Sequence, residues 1–124
     1  MARKKTTGLT DAELRLMDVL WDKGSATVGD IVDALPKPPL AYSTVLTTMR
    51  ILEGKGYLRH VKEGRAFIYH PAVGRDEARD TAVGHLVRRF FGGSHGQLAL
   101  NLVERKRIGA GELKHLRRKI KEAK

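Results

Sequence analysis

The sequence predicts a mainly α-helical protein with one small β-hairpin, divided into an N-terminal unit over residues 1–75 and a helical unit over residues 76–124. Three observations carry this expectation. Apolar residues recur at helical spacing in three blocks up to Lys55, the first ended by glycine and the second by proline. Two β-prone runs, Tyr57–Val61 and Ala66–Tyr69, then flank a polar turn that contains glycine. Beyond Arg75 the helical spacing returns in three short segments.

The first helix starts at Thr10-Asp-Ala-Glu13, a capping box in which the Thr10 hydroxyl accepts from the N3 backbone N–H and the Glu13 carboxylate accepts from the Thr10 N–H. Leu14, Met17, Leu20 and Trp21 form its expected core stripe, and Gly24 is its C-terminal stop. Thr27 caps a second helix with Asp30 in its first turn, and Val28, Ile31, Val32 and Leu35 make its apolar face before Pro36-Lys-Pro-Pro39 ends it. A third helix runs from Tyr42 to Lys55. Val45, Thr48, Met49 and Leu52 face inward, while Ser43, Thr47, Arg50 and Gly54 lie on the opposite side.

The hairpin follows, with Lys62-Glu-Gly-Arg65 as its turn and Pro71 closing it. Three helices and a hairpin in this order define a winged helix-turn-helix, with a boundary near Val73–Arg75. The helix expected at Asp76–Phe91 buries Ala78, Ala82, Leu86, Val87 and Phe90 and stops at Gly92-Gly93. Ser94 caps a further helix through Val103, and Gly109-Ala-Gly111 precedes the last, with Leu113, Leu116 and Ile120 on one stripe. Such short helices cannot bury all their apolar faces within one chain, so exchange with a second copy is expected. The dimerisation residues are then Leu86, Phe90, Leu98, Leu102, Leu113, Leu116 and Ile120.

The 124-residue chain is 41% hydrophobic and 31% charged, which fits a globular protein and excludes a disordered one. No apolar run nears the roughly 20 residues that span a bilayer, and Met1–Thr7 holds no apolar leader core. A cytoplasmic location without membrane insertion is expected. The absence of cysteine excludes disulfides, thiolate metal sites and a thiol nucleophile.

A net charge of +10 favours a polyanionic partner. Residues 1–35 carry five Lys/Arg against six Asp/Glu, whereas residues 36–75 carry seven against two, so the middle segment is where a polyanion should sit. The small hydroxyls Ser43, Thr44 and Thr47, with Arg50, let the third helix approach base edges closely. Lys55, Arg59, Lys62 and Arg65 supply the cations that grip phosphates beside that groove. An ordinary solvated helix face and a charged surface turn are the plain alternatives; finding both features in succession favours double-stranded DNA.

Enzymatic motifs are missing. The five histidines are scattered, no zinc-protease, nucleophile-elbow or Walker-type signature occurs, and Gly109-Ala-Gly111 lacks the strand and third glycine of a dinucleotide loop. His85 reads either as a titrating group at a dimer interface or, more simply, as an ordinary packed or exposed histidine. No catalytic residue, metal ligand or cofactor is expected. The competing functional readings are a non-specific architectural nucleic-acid-binding protein and a winged helix that binds protein.

Three segments, Leu9–Trp21, Tyr42–Leu52 and Lys62–Pro71, taken in order, resemble the penicillinase-repressor family of the BlaI/MecI type. The resemblance implies a homodimeric transcriptional repressor on an operator dyad that controls a β-lactamase or related gene. Ser43, Thr44, Thr47 and Arg50 would then approach bases, and Lys62 and Arg65 would serve the wing. It also implies a membrane sensor metalloprotease pathway that ends in repressor cleavage. Asn101-Leu102 resembles the cleavage site, with leucine in place of phenylalanine, and reads equally well as part of a dimer helix. A copper-responsive branch of the family uses a cysteine-rich tail; this chain ends in Arg117-Arg-Lys-Ile-Lys-Glu-Ala-Lys124, a basic tail that either touches DNA phosphates or is a solvated helix end.

Overall fold

The computed structural model describes residues 8–123; Met1–Thr7 and Lys124 lie outside the described residues. The element order is α1 (Asp11–Lys23), α2 (Val28–Ala34), α3 (Tyr42–Lys55), β1 (Leu58–Glu63), β2 (Ala66–Pro71), α4 (Arg75–Phe90), α5 (His95–Glu104) and α6 (Ala110–Glu122). Two compact units result, Met1–Ala82 and Val83–Lys124, so the division falls inside α4, beyond the boundary expected at residue 75.

Capping chemistry sets the first two helices. Glu13 N–H donates to Thr10 Oγ1 at 3.1 Å while Thr10 N–H donates to the Glu13 carboxylate at 2.9 Å, and Thr27 and Asp30 repeat the pattern at α2. Gly24 ends α1 with φ of 85°, a backbone region glycine reaches without steric cost. Leu16, Met17, Leu20, Ile31, Val45, Met49 and Leu52 are fully buried and form the centre of the core, with Tyr57, Leu58, Tyr69 and Val73 closing it.

The α1 stripe differs from expectation. Met17 and Leu20 are buried, but Leu14 is 42% exposed and Leu16 and Val19 take inward positions. The buried arc is rotated by about one residue's step of roughly 100°. Leu14 instead lines an open pocket of about 320 Å³ with Leu9, Trp21, Ala78 and Ala82. Trp21 is half-buried: its indole N–H donates to the Val73 carbonyl at 2.9 Å, and the Arg75 guanidinium lies 5.2 Å above its ring. Arg75 also pairs with Asp22 at 3.0 Å, fastening the chain after the hairpin to α1.

The hairpin is tighter and longer than expected. Glu63 pairs with Ala66, which leaves Gly64 and Arg65 as a two-residue turn, and Lys62 and Glu63 join the strand. Gly64 has φ of 62°, as such a turn needs. Pro71 sits in β2 opposite Leu58 rather than beyond the strand. An isolated bridge joins Ala26 to Tyr69, with backbone bonds of 3.0 and 2.8 Å in the two directions, so the segment before α2 anchors the base of the wing.

In α4–α6 the boundaries match the apolar periodicity and the burial does not. Ser94 Oγ accepts from Gln97 N–H at 3.1 Å and starts α5, and Gly92 and Gly93 take positive φ after α4. Of the residues expected to be buried on α4, only Val87 is; Ala78 is half-buried, Ala82 is exposed, and Leu86 and Phe90 are 40% and 70% exposed. Leu116 and Ile120 are exposed too, and no residue of α5 or α6 is buried. Among the described residues, every closely packed pair of elements lies among α1–α3 and the hairpin.

Candidate nucleic-acid interface

The α3 helix is held by its apolar arc, which leaves the rest of its circumference free. Ala41 is its N-cap without a side-chain hydrogen bond, and Gly56 ends it in the left-handed region at φ of 91°. Ser43, Thr44, Thr47 and Arg50 are all exposed. Helical geometry places Ser43, Thr47 and Gly54 at the centre of the outward face, with Thr44 at one edge and Arg50 at the other.

Arg50 is where this face meets a groove of about 720 Å³ between α3 and the hairpin. Tyr42, Leu46, Arg50 and Glu53 line it from α3, and His60, Arg65, Phe67 and Tyr69 from the wing. Arg50 and Arg65 thus put a cation on either wall. Strand alternation sets His60 and Lys62 on one face of β1 and Arg59 on the other, so Arg59 shares the face of His70 and Ile68 and does not line the groove. All three of Arg59, Lys62 and Arg65 are exposed.

Lys55 is placed differently from the other cations. Its ammonium donates to the Glu13 carboxylate at 2.8 Å, and the Glu13 side chain is only 6% exposed. Burial alone would raise the Glu13 carboxyl; the Lys55 ammonium and the Thr10 N–H outweigh it and hold the group below the usual carboxylate range. One carboxylate therefore caps α1 and clamps the C-terminal end of α3 to it. Glu13 was legible as a capping residue, whereas its partner 42 residues away was not.

A second clamp joins α3 to the wing. His60 Nδ1 lies 2.8 Å from both Glu53 carboxylate oxygens, and since an ionised carboxylate only accepts, the imidazole N–H is the donor. The ring packs against Phe67 and Tyr69, with centroids 5.1 and 5.5 Å away. Burial pushes the Tyr69 hydroxyl up, and the nearby Glu53 charge adds to that. Sequence reading missed Glu53 and His60; the signal available was the strand register, which puts His60 opposite Tyr69. Arg15 also went unremarked, although its guanidinium donates to the Pro36 and Pro38 carbonyls, both at 2.6 Å, and braces the loop that delivers α3.

An exposed helix of small hydroxyls beside a two-stranded wing defines the class: a winged helix-turn-helix protein. The family model described as penicillinase repressor matches residues 9–122, and the chain belongs to that family. It is 30% identical to the penicillinase repressor of Bacillus licheniformis over 122 residues, covering 98% of this chain and 95% of that one. It is 36% identical to the transcriptional regulator BlaI of Mycobacterium tuberculosis, covering 95% and 86%. The solution structure of the DNA-binding domain of the repressor BlaI superposes with a TM-score of 0.52 at 33% identity, over 60% of this chain and 93% of that one. A BlaI monomer from Bacillus licheniformis in complex with the blaP half-operator superposes with a TM-score of 0.50 at 33% identity, again over 60% and 93%. These relatives are regulators of transcription, not enzymes. Among the described residues no helix is long and apolar enough to cross a membrane.

Proposed function

We propose that this chain represses transcription as a homodimer on an operator dyad in the cytoplasm, with the winged helix of residues 1–75 reading one half-site per protomer. The observation that carries the reading is the exposed Ser43, Thr47 and Arg50 face of α3, continuous with a groove whose far wall presents Arg65. Small hydroxyls let the helix backbone approach base edges, Arg50 reaches a base or a nearby phosphate, and Lys62 and Arg65 hold the flanking backbone. Arg59 serves a phosphate on the outer side of the wing. Lys55 acts through α3, by holding its end against α1. The likeness to a relative captured on a half-operator supports one winged helix per half-site.

Dimerisation falls to residues 76–124, where Leu86, Phe90, Leu116 and Ile120 are exposed and Leu98, Leu102 and Leu113 half-buried. The regulated gene is a β-lactamase or a related resistance gene, and cleavage between Asn101 and Leu102, triggered through a membrane sensor metalloprotease, ends repression. The test is mobility-shift competition between a dyad from the chain's own upstream region and random duplex of equal length. Strong preference for the dyad, lost when one half-site is scrambled, is expected. Equal competition by both duplexes would reduce the protein to an architectural DNA binder.

A further inference from the structure

Residues 105–124 hold nine Lys/Arg against two Asp/Glu, a net +7 of the chain's total of +10. Most of the charge that points to a polyanion therefore lies outside the winged helix. Within α6, Lys114, Arg117, Arg118 and Lys121 follow at i, i+3, i+4 and i+7 and lie along one stripe. They alone line a shallow groove of about 580 Å³. The apolar residues Leu113, Leu116 and Ile120 form a separate edge, its centre about 120° around the helix from that of the basic stripe.

The four cations are unspent. In the first unit Lys55 is paired with Glu13 and Arg75 with Asp18 and Asp22. Among the described residues, none of the four α6 cations pairs with a carboxylate. All four are exposed. Glu112, the acidic residue of the first turn, accepts from the Gly109 N–H at 3.0 Å, so its carboxylate serves the helix start.

We propose that this stripe is a second, sequence-independent DNA site, which takes the phosphate backbone of duplex DNA beyond the base pairs read by α3. Four cations in a row at helical spacing match a continuous line of phosphates, and their binding releases counterions without reading sequence. A membrane surface fits less well, because interfacial helices place aromatic or bulky anchors on a broad apolar face. The apolar edge of α6 holds only Leu113, Leu116 and Ile120, without an aromatic residue. Tethering to a specific domain makes such a site effective, since the second contact forms at high local concentration.

The experiment compares the full chain with a variant carrying Lys114→Gln, Arg117→Gln, Arg118→Gln and Lys121→Gln. Fluorescence anisotropy follows each on random-sequence duplex across a salt series, at concentrations where both sediment with the same mass. The expected result is a fall of about 3–4 in the magnitude of the log-affinity against log-salt slope for each protomer bound. Raising salt from 0.05 to 0.2 M then weakens the parent about 100-fold more than the variant. Operator and random duplex lose affinity by the same factor, so dyad preference is retained. A companion variant with Arg117→Lys and Arg118→Lys keeps the charge and is expected to keep the parent slope, which separates charge from folding. An unchanged slope in the glutamine variant, or a lost slope in the lysine variant, overturns the proposal. Flotation on phosphatidylcholine vesicles containing phosphatidylserine completes the test. Vesicle binding that the glutamine variant loses while its DNA slope stays unchanged assigns the stripe to membranes instead. Failure of the α3 reading would abolish dyad preference and leave this slope difference in place, so the two ideas fail separately.

Discussion

Replacing Lys55 by Met distinguishes a residue that binds phosphate from one that holds α3 in place. Methionine keeps most of the apolar stem and removes the ammonium that accompanies Glu13. Removing one partner of a fully buried pair costs about 3–5 kcal/mol. The Lys55 side chain is 21% exposed, so water partly replaces the lost ammonium and the expected cost falls to about 2 kcal/mol. For a unit of this size that lowers the melting temperature by about 8–16 °C. The pH dependence adds a sign. In the parent, Glu13 is held below its ordinary value, so its contribution is present above the unfolded carboxyl pKa and is lost as acid titrates the folded group. In the variant the Lys55 contributions that lower the carboxyl are gone while its burial remains, so acid removes less stability than it does from the parent. The gap between parent and variant therefore narrows below about pH 4. Thermal unfolding followed by circular dichroism at pH 7, 5 and 3 measures it, and salt-dependent binding measures the other role. A stability gap below about 0.5 kcal/mol at pH 7, together with a salt slope reduced by about 0.9, would refute the clamp and return Lys55 to the phosphate contacts.

Other predictions address the reading face, the wing and the dimer. Arg50→Ala should weaken dyad binding by about 1–3 kcal/mol and random-duplex binding by less; equal losses in parallel anisotropy titrations would make Arg50 a phosphate contact only. His60→Ala removes the N–H that Glu53 accepts and a ring packed on Phe67 and Tyr69. It should cost about 1–2 kcal/mol of stability and weaken operator and random duplex alike, and a selective loss on operator would place His60 in readout. Leu116→Glu with Ile120→Glu should shift sedimentation from dimer to monomer while the melting of the winged helix is preserved. An unchanged dimer mass would move the interface off the α6 edge.

Legibility followed the range of the determining interactions. Capping boxes, glycine stops and the limits of α3 are decided within a few residues, and Thr10, Glu13, Thr27, Asp30 and Gly24 act as their local chemistry requires. The buried arc of α1 was not legible, because apolar residues at 14, 16, 17, 19, 20 and 21 satisfy more than one helical stripe. Contacts with α2 and α3 decide among them. The hairpin turn was misjudged for a different reason. Lys62 and Glu63 are polar and exposed, so composition assigned them to a loop, whereas an outer wing can pair strands without burying them. The face of α3 was readable from helical period alone, while the clamps through Lys55 and His60 depend on side chains that meet across elements.

The proposed cleavage site lies in a helix that has no buried residue to hold it. Asn101 and Leu102 lie within α5, and the Asn101 carbonyl accepts from the Arg105 N–H at 3.0 Å. A protease that takes its substrate as an extended strand must first unwind that turn. A ten-residue helix with no buried residue resists this weakly, because helices below about 12–15 residues are marginal without tertiary packing. In the proposed dimer, Leu98 and Leu102 would pack against a second copy and add the missing resistance, so the proposed cleavage would select the free chain over the assembled dimer. A cut at this bond would separate Leu113, Leu116, Ile120 and the basic stripe of α6 from the winged helix. Dimer contact and the proposed non-specific DNA grip would then be lost together, and a single broken bond would lower affinity through both avidity and charge while leaving the reading face of α3 intact.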